Sequence, residues 1–484
     1  MNYKTIFNTL GRVILMEAAL LLLPAGVALI YGENCVAAFI ITVLIAATVG
    51  AALCLICRSE KMNLSIRDSF AIVSLSWIGI SLIGALPFVI SGEIPGFVDA
   101  FFETVSGFTT TGASILKDVE SMSHGLLFWR SFTHWLGGMG VLVFIMAIMS
   151  KAPDRSINIL RAEMPGHSVD KFTPKSKDAA KTLYYIYIAM TAAEFVLLLC
   201  GGMPLFDSAV HALGTAGTGG FGIKGDSIAS YSPYLQWVIT VFMMLFGVSF
   251  NVYYLLLLRR WKSAISSNEL WCYLGIFAAA LVIIAANIYP IYHNISEVIR
   301  LSAFQVAAII TTTGFATADF DLWPQLSKGV LIMLMFVGGC MGSTAGGFKI
   351  SRLTSMFQIA RNEIRHSVSP RTVSAVRLNG RTLSAQEEKG ILSYLVLYLA
   401  VIVATFLLIS FEPLGFETNF SAAISCVNNI GPGFNLIGPA ANYSVYSGFS
   451  KVVLSIAMLM GRLEIYPLLS LLSLKIWAKP VRKL

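Results

Sequence analysis

Charge is what this chain is short of. Lys, Arg, Asp and Glu make up 12% of its 484 residues, about half the share of an ordinary soluble domain. Hydrophobic residues make up 56%, and the mean hydropathy is +0.75. Apolar stretches of bilayer-spanning length recur from end to end, which excludes a soluble protein and gives a polytopic membrane chain. Clusters that could carry chemistry are also missing. The seven cysteines are odd in number and lie mostly inside apolar segments. Cys54-Leu55-Ile56-Cys57 has redox or metal spacing, but no second such pair exists, so these are read as small buried apolar residues. A nucleotide P-loop is excluded because Phe348, after Gly342 and Gly347, stands where lysine is required. Gly217-x-Gly219-x-x-Gly222 matches a dinucleotide fingerprint only by letters, since no strand precedes it. With no metal-ligand cluster, nucleophile triad or phosphate cradle, neither an enzyme nor a covalent cofactor is expected.

The little charge present is informative through its position. The formal net charge is +8. Basic residues gather in Arg58, Lys61 and Arg67, in the 151–181 segment, in Arg259-Arg260-Trp261-Lys262, in 352–389, and at Lys475, Lys479, Arg482 and Lys483. The alternate connections carry Glu33, Glu93, Asp99, Asp207, Asp226, Asp319, Asp321, Glu412 and Glu417. The positive-inside rule then places the basic set, and both chain ends, in the cytoplasm. Topology accounts for the positive charge, and a nucleic-acid partner is not expected. The first segment lacks a small-residue cleavage site and reads as an anchor, not a removable signal peptide.

Glycine is plentiful, and it is patterned. Thr109-Thr110-Thr111-Gly112-Ala113 is echoed by Gly217-Thr218-Gly219-Gly220-Phe221, Thr311-Thr312-Thr313-Gly314-Phe315 and Ile430-Gly431-Pro432-Gly433-Phe434. Aligned on the fourth residue, all have glycine there, at intervals of about a hundred residues. Four such units suggest closure around an axis. A Gly-centred loop can aim successive carbonyl oxygens at one point, and rings of such oxygens replace the water shell of an alkali cation.

Each loop follows a short helix, starting near Asp99, Asp207, Ser296-Glu297 and Thr418-Asn419. At some 10–15 residues these fall below the ~20 needed to cross the hydrocarbon core, so each enters and returns. Irregular backbone at that depth requires surrounding protein or water, which implies a shared aqueous cavity. The four helix C-termini point their negative ends at its centre and favour a cation. Glu103, His211 and Gln305, each nine residues before its glycine, are read as braces rather than ion contacts. Arg130, Trp135, Gly137-Gly138 and Asn251 are read as packing residues.

Two later features stand out. Gly338, Gly339, Gly342, Gly346 and Gly347 interrupt a long apolar helix, at about 1 kcal/mol lost per glycine against alanine. With Ser343 and Thr344 they read as an intramembrane gate; the other reading is close helix packing through small residues. Gly461-Arg462-Leu463-Glu464 places ionisable residues midway along the last long helix, at a cost of ~2.5–3.5 kcal/mol, so each must face a cavity or a partner. Arg462 reads as an electrostatic barrier below the loops, or as a tie to backbone carbonyls.

Together, these loops, the Gly-rich break and the late arginine make the whole chain resemble the Trk/Ktr/HKT superfamily of potassium transporters. The hairpin before the first unit is similar to the TrkH/TrkG branch. The resemblance implies an all-α membrane fold of four pseudo-symmetric helix–pore loop–helix repeats around a central pore. The boundaries are 1–67 (N-terminal hairpin), 68–179 (repeat one with a cytoplasmic loop), 180–268 (repeat two), 269–387 (repeat three with the gating loop) and 388–484 (repeat four). It implies a K⁺ selectivity filter at Thr110, Thr111, Gly112, Thr218, Gly219, Gly220, Thr312, Thr313, Gly314, Gly431, Pro432 and Gly433, with backbone carbonyls holding the ion. Relatives that pass Na⁺ have serine at the first glycine, so Gly112 favours K⁺. The resemblance further implies uptake across a bacterial cytoplasmic (inner) membrane, a homodimer, and a cytoplasmic ring of TrkA-like nucleotide-binding subunits. The expected function is K⁺ uptake through a gated pore, driven by the membrane potential. A K⁺/H⁺ or K⁺/Na⁺ symporter is the alternative, against which few buried acids are counted. A membrane enzyme or subunit using its Gly loops only for packing is a further one.

Overall fold

A computed structural model describes residues 2–57, 65–140, 176–371, 375–378 and 381–472. Among them six helices are long and apolar enough to cross a membrane, or seven if one sharply bent pair counts as a span. The N-terminal hairpin is α1 (Tyr3–Leu20) continued by α2 (Leu22–Ile30), then α3 (Val36–Ile56). Gly11 and Gly50 let its helices approach closely: a Cβ on Gly11 would stand 2.8 Å from the Gly50 carbonyl oxygen. The Glu33 carboxylate pins the hairpin to the next unit by accepting the N–H groups of His124 (2.7 Å) and Gly125 (3.0 Å). Partial burial would raise the Glu33 pKa, but these N–H groups and the His124 ring outweigh it and hold the carboxyl below the ordinary glutamate value.

Four units of one design follow. The first has α4 (Ile66–Gly84), α5 (Leu86–Ser91), the short helix α6 (Phe97–Phe108) and α7 (His124–Gly138). The second has α8 (Ser176–Cys200), short α9 (Leu205–Gly217), α10 (Pro233–Phe246), α11 (Phe250–Leu257) and α12 (Trp261–Ile265). The third has α13 (Asn268–Tyr292), short α14 (Ile295–Ile310), α15 (Gln325–Val337) and α16 (Ile350–Val368), followed by a two-stranded antiparallel β1 (Arg377–Leu378) and β2 (Arg381–Thr382). The fourth has α17 (Ala385–Ile409), short α18 (Phe416–Asn428), α19 (Gly448–Arg462) and α20 (Tyr466–Leu472).

The short helices have 12, 13, 16 and 13 residues, too few to span, as their sequence implied. The third is capped by Asn294, whose side chain accepts the N–H groups of Ser296 and Glu297, rather than by Ser296-Glu297. All four are buried along most of their length, whereas the long helices expose Leu44, Tyr185, Val282 and Val396 as a lipid-facing surface would. Residues 141–150, the basic 151–175 stretch and the basic tail lie outside the described residues.

One bend was not foreseen. α10 and α11 meet at 87° across Gly247-Val248-Ser249. A Cβ on Gly247 would collide with the Tyr273 hydroxyl, and the freed Gly247 carbonyl accepts the Cys340 N–H at 3.0 Å.

Candidate functional site: a ring of four loops above a broken helix

The short helices end alike. Thr110, Thr218, Thr312 and Asn429 adopt left-handed φ values of 57°, 52°, 56° and 56°. Each donates its N–H three residues back (to Gly107, Thr215, Ile309 and Cys426) and the next residue donates five back (to Ser106, Gly214, Ala308 and Ser425). That is a Schellman closure repeated four times. A β-branched residue is strained at such angles, by about 1–3 kcal/mol. Three threonines there mean that the surroundings hold the loops in shape. Two residues on, Gly112, Gly220, Gly314 and Gly431 also have positive φ.

These glycines show how the loops meet. A Cβ on Gly112 would overlap the carbonyl oxygen of Gly219; on Gly220, that of Thr313; on Gly314, that of Ile430. On Gly431 it would lie 2.7 Å from the carbonyl oxygen of Thr111. Loop one touches two, two touches three, three touches four and four touches one. The ring closes on itself.

Loop four corrects the alignment made on the sequence. Its left-handed residue is Asn429 and its turn glycine Gly431, so Gly431 and not Gly433 is the counterpart of Gly112, Gly220 and Gly314. Pro432 and Gly433 lie beyond the turn, where the Gly433 N–H bonds the Ile437 carbonyl at 2.8 Å. The signal that could have found this register is Asn429, since asparagine tolerates the left-handed position better than most residues.

Side chains lock the ring from behind. Thr109 and Thr311 each bond back into their helix and to the Thr111 or Thr313 hydroxyl, at 2.8 and 2.7 Å. Phe221 donates its N–H to His134 Nε2 (3.2 Å), so Nδ1 carries the proton that meets the Gly107 carbonyl at 2.7 Å. That neutral imidazole joins the first loop to the second. Glu103 braces as expected, accepting from Ser114 Oγ and the Ile115 N–H, each at 2.9 Å. Arg130 is more than packing: it pairs with Glu103 at 2.8 Å, reaches the Gly222 carbonyl at 3.3 Å and lies 4.0 Å from the Phe221 ring centroid. Gln305 braces loop three through the Ala318 carbonyl (3.3 Å). His211 instead makes ring contacts with Tyr231 and Phe315. Trp135 packs on Phe132 and Tyr187.

Below the ring, the second long helix of the third unit is broken where the glycines are. Residues between α15 and α16 follow no helical path, with Gly338, Gly342 and Gly347 at φ 73°, 78° and 77°. This segment docks directly under the loops: the Gly346 N–H donates to Thr312 Oγ1 (2.6 Å) and the Gly347 N–H to the Asn428 carbonyl (3.0 Å). The α10–α11 bend grips it through Cys340 and through Phe250, whose N–H meets the Gly342 carbonyl at 2.9 Å; Glu269 accepts the Met341 N–H at 2.6 Å. Ser343 folds back on the Cys340 carbonyl and Thr344 donates to the Phe246 carbonyl at 3.3 Å. Gly338 and Gly339 line the turn, where Lys349 and Ile350 donate to the Val337 and Gly339 carbonyls.

Arg462 ties this segment to the first unit. Its guanidinium donates to the carbonyls of Thr344 (2.9 Å), Gly138 (2.8 Å) and Gly137. Glu464 pairs with Arg352, which lies 4.1 Å from the Tyr394 ring centroid. The sequence offered a tie to backbone carbonyls as one of two readings of Arg462, and these bonds are that tie; it did not say which carbonyls, nor that Arg352 partners Glu464.

Comparison with known proteins agrees with the architecture. The family model TrkH, described as a cation transport protein, matches residues 35–478. The chain is 33% identical over 486 residues to the Trk system potassium uptake protein TrkH of Salmonella typhimurium, covering 99% of this chain and 100% of that one. It is 32% identical to the Trk system potassium uptake protein TrkG of Escherichia coli K12, with 98% and 99% covered. The crystal structure of the potassium transporter TrkH from Vibrio parahaemolyticus superposes with a TM-score of 0.89 at 29% identity, covering 99% of this chain and 100% of that one. A self-closing ring of loops, a broken helix beneath it and this similarity along the whole length agree: the chain belongs to the TrkH family of cation transport proteins, a family of transporters and not of enzymes.

Proposed function

We propose that this protein takes up K⁺ through a gated, channel-like pore whose filter is the ring of four loops. The observation that carries the reading is the circular approach of Gly112, Gly220, Gly314 and Gly431 to their neighbours' carbonyl oxygens. Carbonyls of residues 110–112, 218–220, 312–314 and 429–430 would replace the ion's water, helped by four helix C-termini. Residues 338–347 act as the gate and Arg462 as its electrostatic latch. The membrane potential supplies ~2.3 kcal/mol per 100 mV for one charge, which supports roughly 50-fold accumulation. The relatives' names as potassium uptake proteins support K⁺ as the cargo.

The pore sits in a bacterial cytoplasmic membrane with both chain ends inside. It works as a homodimer on a TrkA-like nucleotide-binding ring. Arg361, Arg365 and Arg371 are exposed at the end of α16 and beyond it, near exposed Phe357, Ile364 and Val368, a surface suited to docking; neutralising the three arginines abolishes ring binding in a pull-down, and unchanged binding would overturn this docking site. Purified protein in liposomes tests the transport reading: K⁺ flux exceeds Na⁺ flux, and Gly112→Ser erodes the preference. Coupled K⁺/H⁺ symport is the second reading. Glu17 and Glu194 are fully buried carboxyl groups inside spanning helices, more acid than the sequence reading counted. Reversal potentials that follow a proton gradient would favour that reading.

A further inference from the structure

The ring of loops has a seam. Gly112, Gly220 and Gly314 share φ values of 77°, 79° and 78°, whereas Gly431 stands at 102°. At three junctions an added Cβ would overlap the neighbour's carbonyl oxygen; between loops four and one it would stand 2.7 Å away. The carbonyls differ as well. Among the described residues no donor meets the oxygens of Gly112, Gly220 or Gly314. The Gly431 oxygen accepts two: Ser425 Oγ at 2.9 Å and Tyr443 Oη at 2.7 Å. A carbonyl oxygen has two lone pairs, so both are engaged.

Tyr443 itself spans the seam. It opens a 3₁₀ turn (Tyr443–Val445), is 2% exposed, and donates its N–H to the Ser114 carbonyl just beyond loop one at 2.8 Å. Its ring packs on Phe102 and Tyr446, with centroids 5.6 and 6.0 Å apart. One level deeper, Asn429 Nδ2 donates to Thr111 Oγ1 at 2.9 Å across the same junction. Side chains reinforce here a backbone contact that is looser than at the other three junctions.

We propose that Tyr443, with Ser425, is a positioning residue for cation selection. By engaging the Gly431 carbonyl they hold the fourth wall of the outermost oxygen ring, leaving Gly112, Gly220 and Gly314 as that level's free carbonyls. A wall that cannot move inward keeps the ring too wide for a smaller, more strongly hydrated ion. The inference rests on the filter reading above. Its signature is a change of ion ratio, which a residue that only supports folding would not produce.

The test is the bi-ionic K⁺/Na⁺ permeability ratio of the purified full-length protein in liposomes. Tyr443→Phe removes one donor and lowers the ratio about fivefold, the factor that one hydrogen bond of ordinary net strength allows. Ser425→Ala lowers it similarly. Tyr446→Phe, whose hydroxyl meets Asn419 Oδ1 at 2.9 Å, leaves it unchanged. If the unmodified protein does not prefer K⁺, the filter reading itself fails. If it does, and both Tyr443→Phe and Ser425→Ala keep its ratio, the seam proposal is overturned while the filter stands. An equal fall in Tyr446→Phe overturns it too. Should Tyr443→Phe not be recovered folded, Ser425→Ala alone decides, and an unchanged ratio rejects the proposal.

Discussion

Replacing Arg462 by glutamine is the perturbation whose outcome follows most fully from the geometry. The guanidinium joins the broken-helix segment, through the Thr344 carbonyl, to the Gly137 and Gly138 carbonyls of the first unit. In the proposed opening only the bond to Thr344 is lost, because the other two join Arg462 to the first unit, outside the moving segment. A hydrogen bond from a charged donor contributes about 1.5–3 kcal/mol. At 1.4 kcal/mol per factor of ten, its loss shifts the open-to-closed ratio by roughly 10- to 150-fold. Gly346, Gly347, Cys340 and Met341 still hold the segment through their own N–H groups, so the gate loosens without dissolving. The assay is K⁺ efflux from loaded liposomes without any regulatory partner. Basal flux rises at least tenfold, while the K⁺/Na⁺ ratio stays put because the loops above are untouched. Unchanged or reduced flux from folded protein would refute the latch, and a collapsed ion ratio would mean that Arg462 supports the ring instead.

Two further outcomes follow. Thr312→Val removes the acceptor of the Gly346 N–H and raises basal flux several-fold, whereas Thr110→Val, whose hydroxyl is buried without a partner, leaves it unchanged; equal effects on flux would remove the asymmetry between loops one and three. Arg130→Met strands the Glu103 carboxylate in a buried site, a loss of about 3–5 kcal/mol; it lowers the thermal melting point of detergent-extracted protein sharply, Glu103→Gln/Arg130→Met restores much of it, and failure of that rescue contradicts the pairing.

What the sequence conveyed, and what it did not, divides along physical lines. Short helices, Gly-centred turns and the five-glycine break are local features, set by backbone preferences within a few residues, and except for the turn of loop four they stand where the pattern put them. The register of loop four was misread because Gly431-Pro432-Gly433 offers two glycines and Phe434 imitates Phe221 and Phe315, while the decisive residue is Asn429. Arg130 passed for packing because its partner Glu103 sits on another helix. The right-angled bend at Gly247 was hidden in an apolar run, since its cause is not local: the Tyr273 hydroxyl and the Cys340 N–H occupy the space and the carbonyl. Closure of the ring is likewise a long-range property. No stretch of the chain contains it.

The central claim is that backbone oxygens from four loops jointly select the ion, and Gly112 tests it most directly. Its turn needs φ of 77°, and a Cβ there would overlap the Gly219 carbonyl oxygen. Parallel K⁺ and Na⁺ flux measurements on purified protein in liposomes should show strong K⁺ preference before the change to serine and a markedly weaker one after it, with ion flow retained. An identical K⁺/Na⁺ ratio in a folded, conducting Gly112→Ser protein would contradict the account.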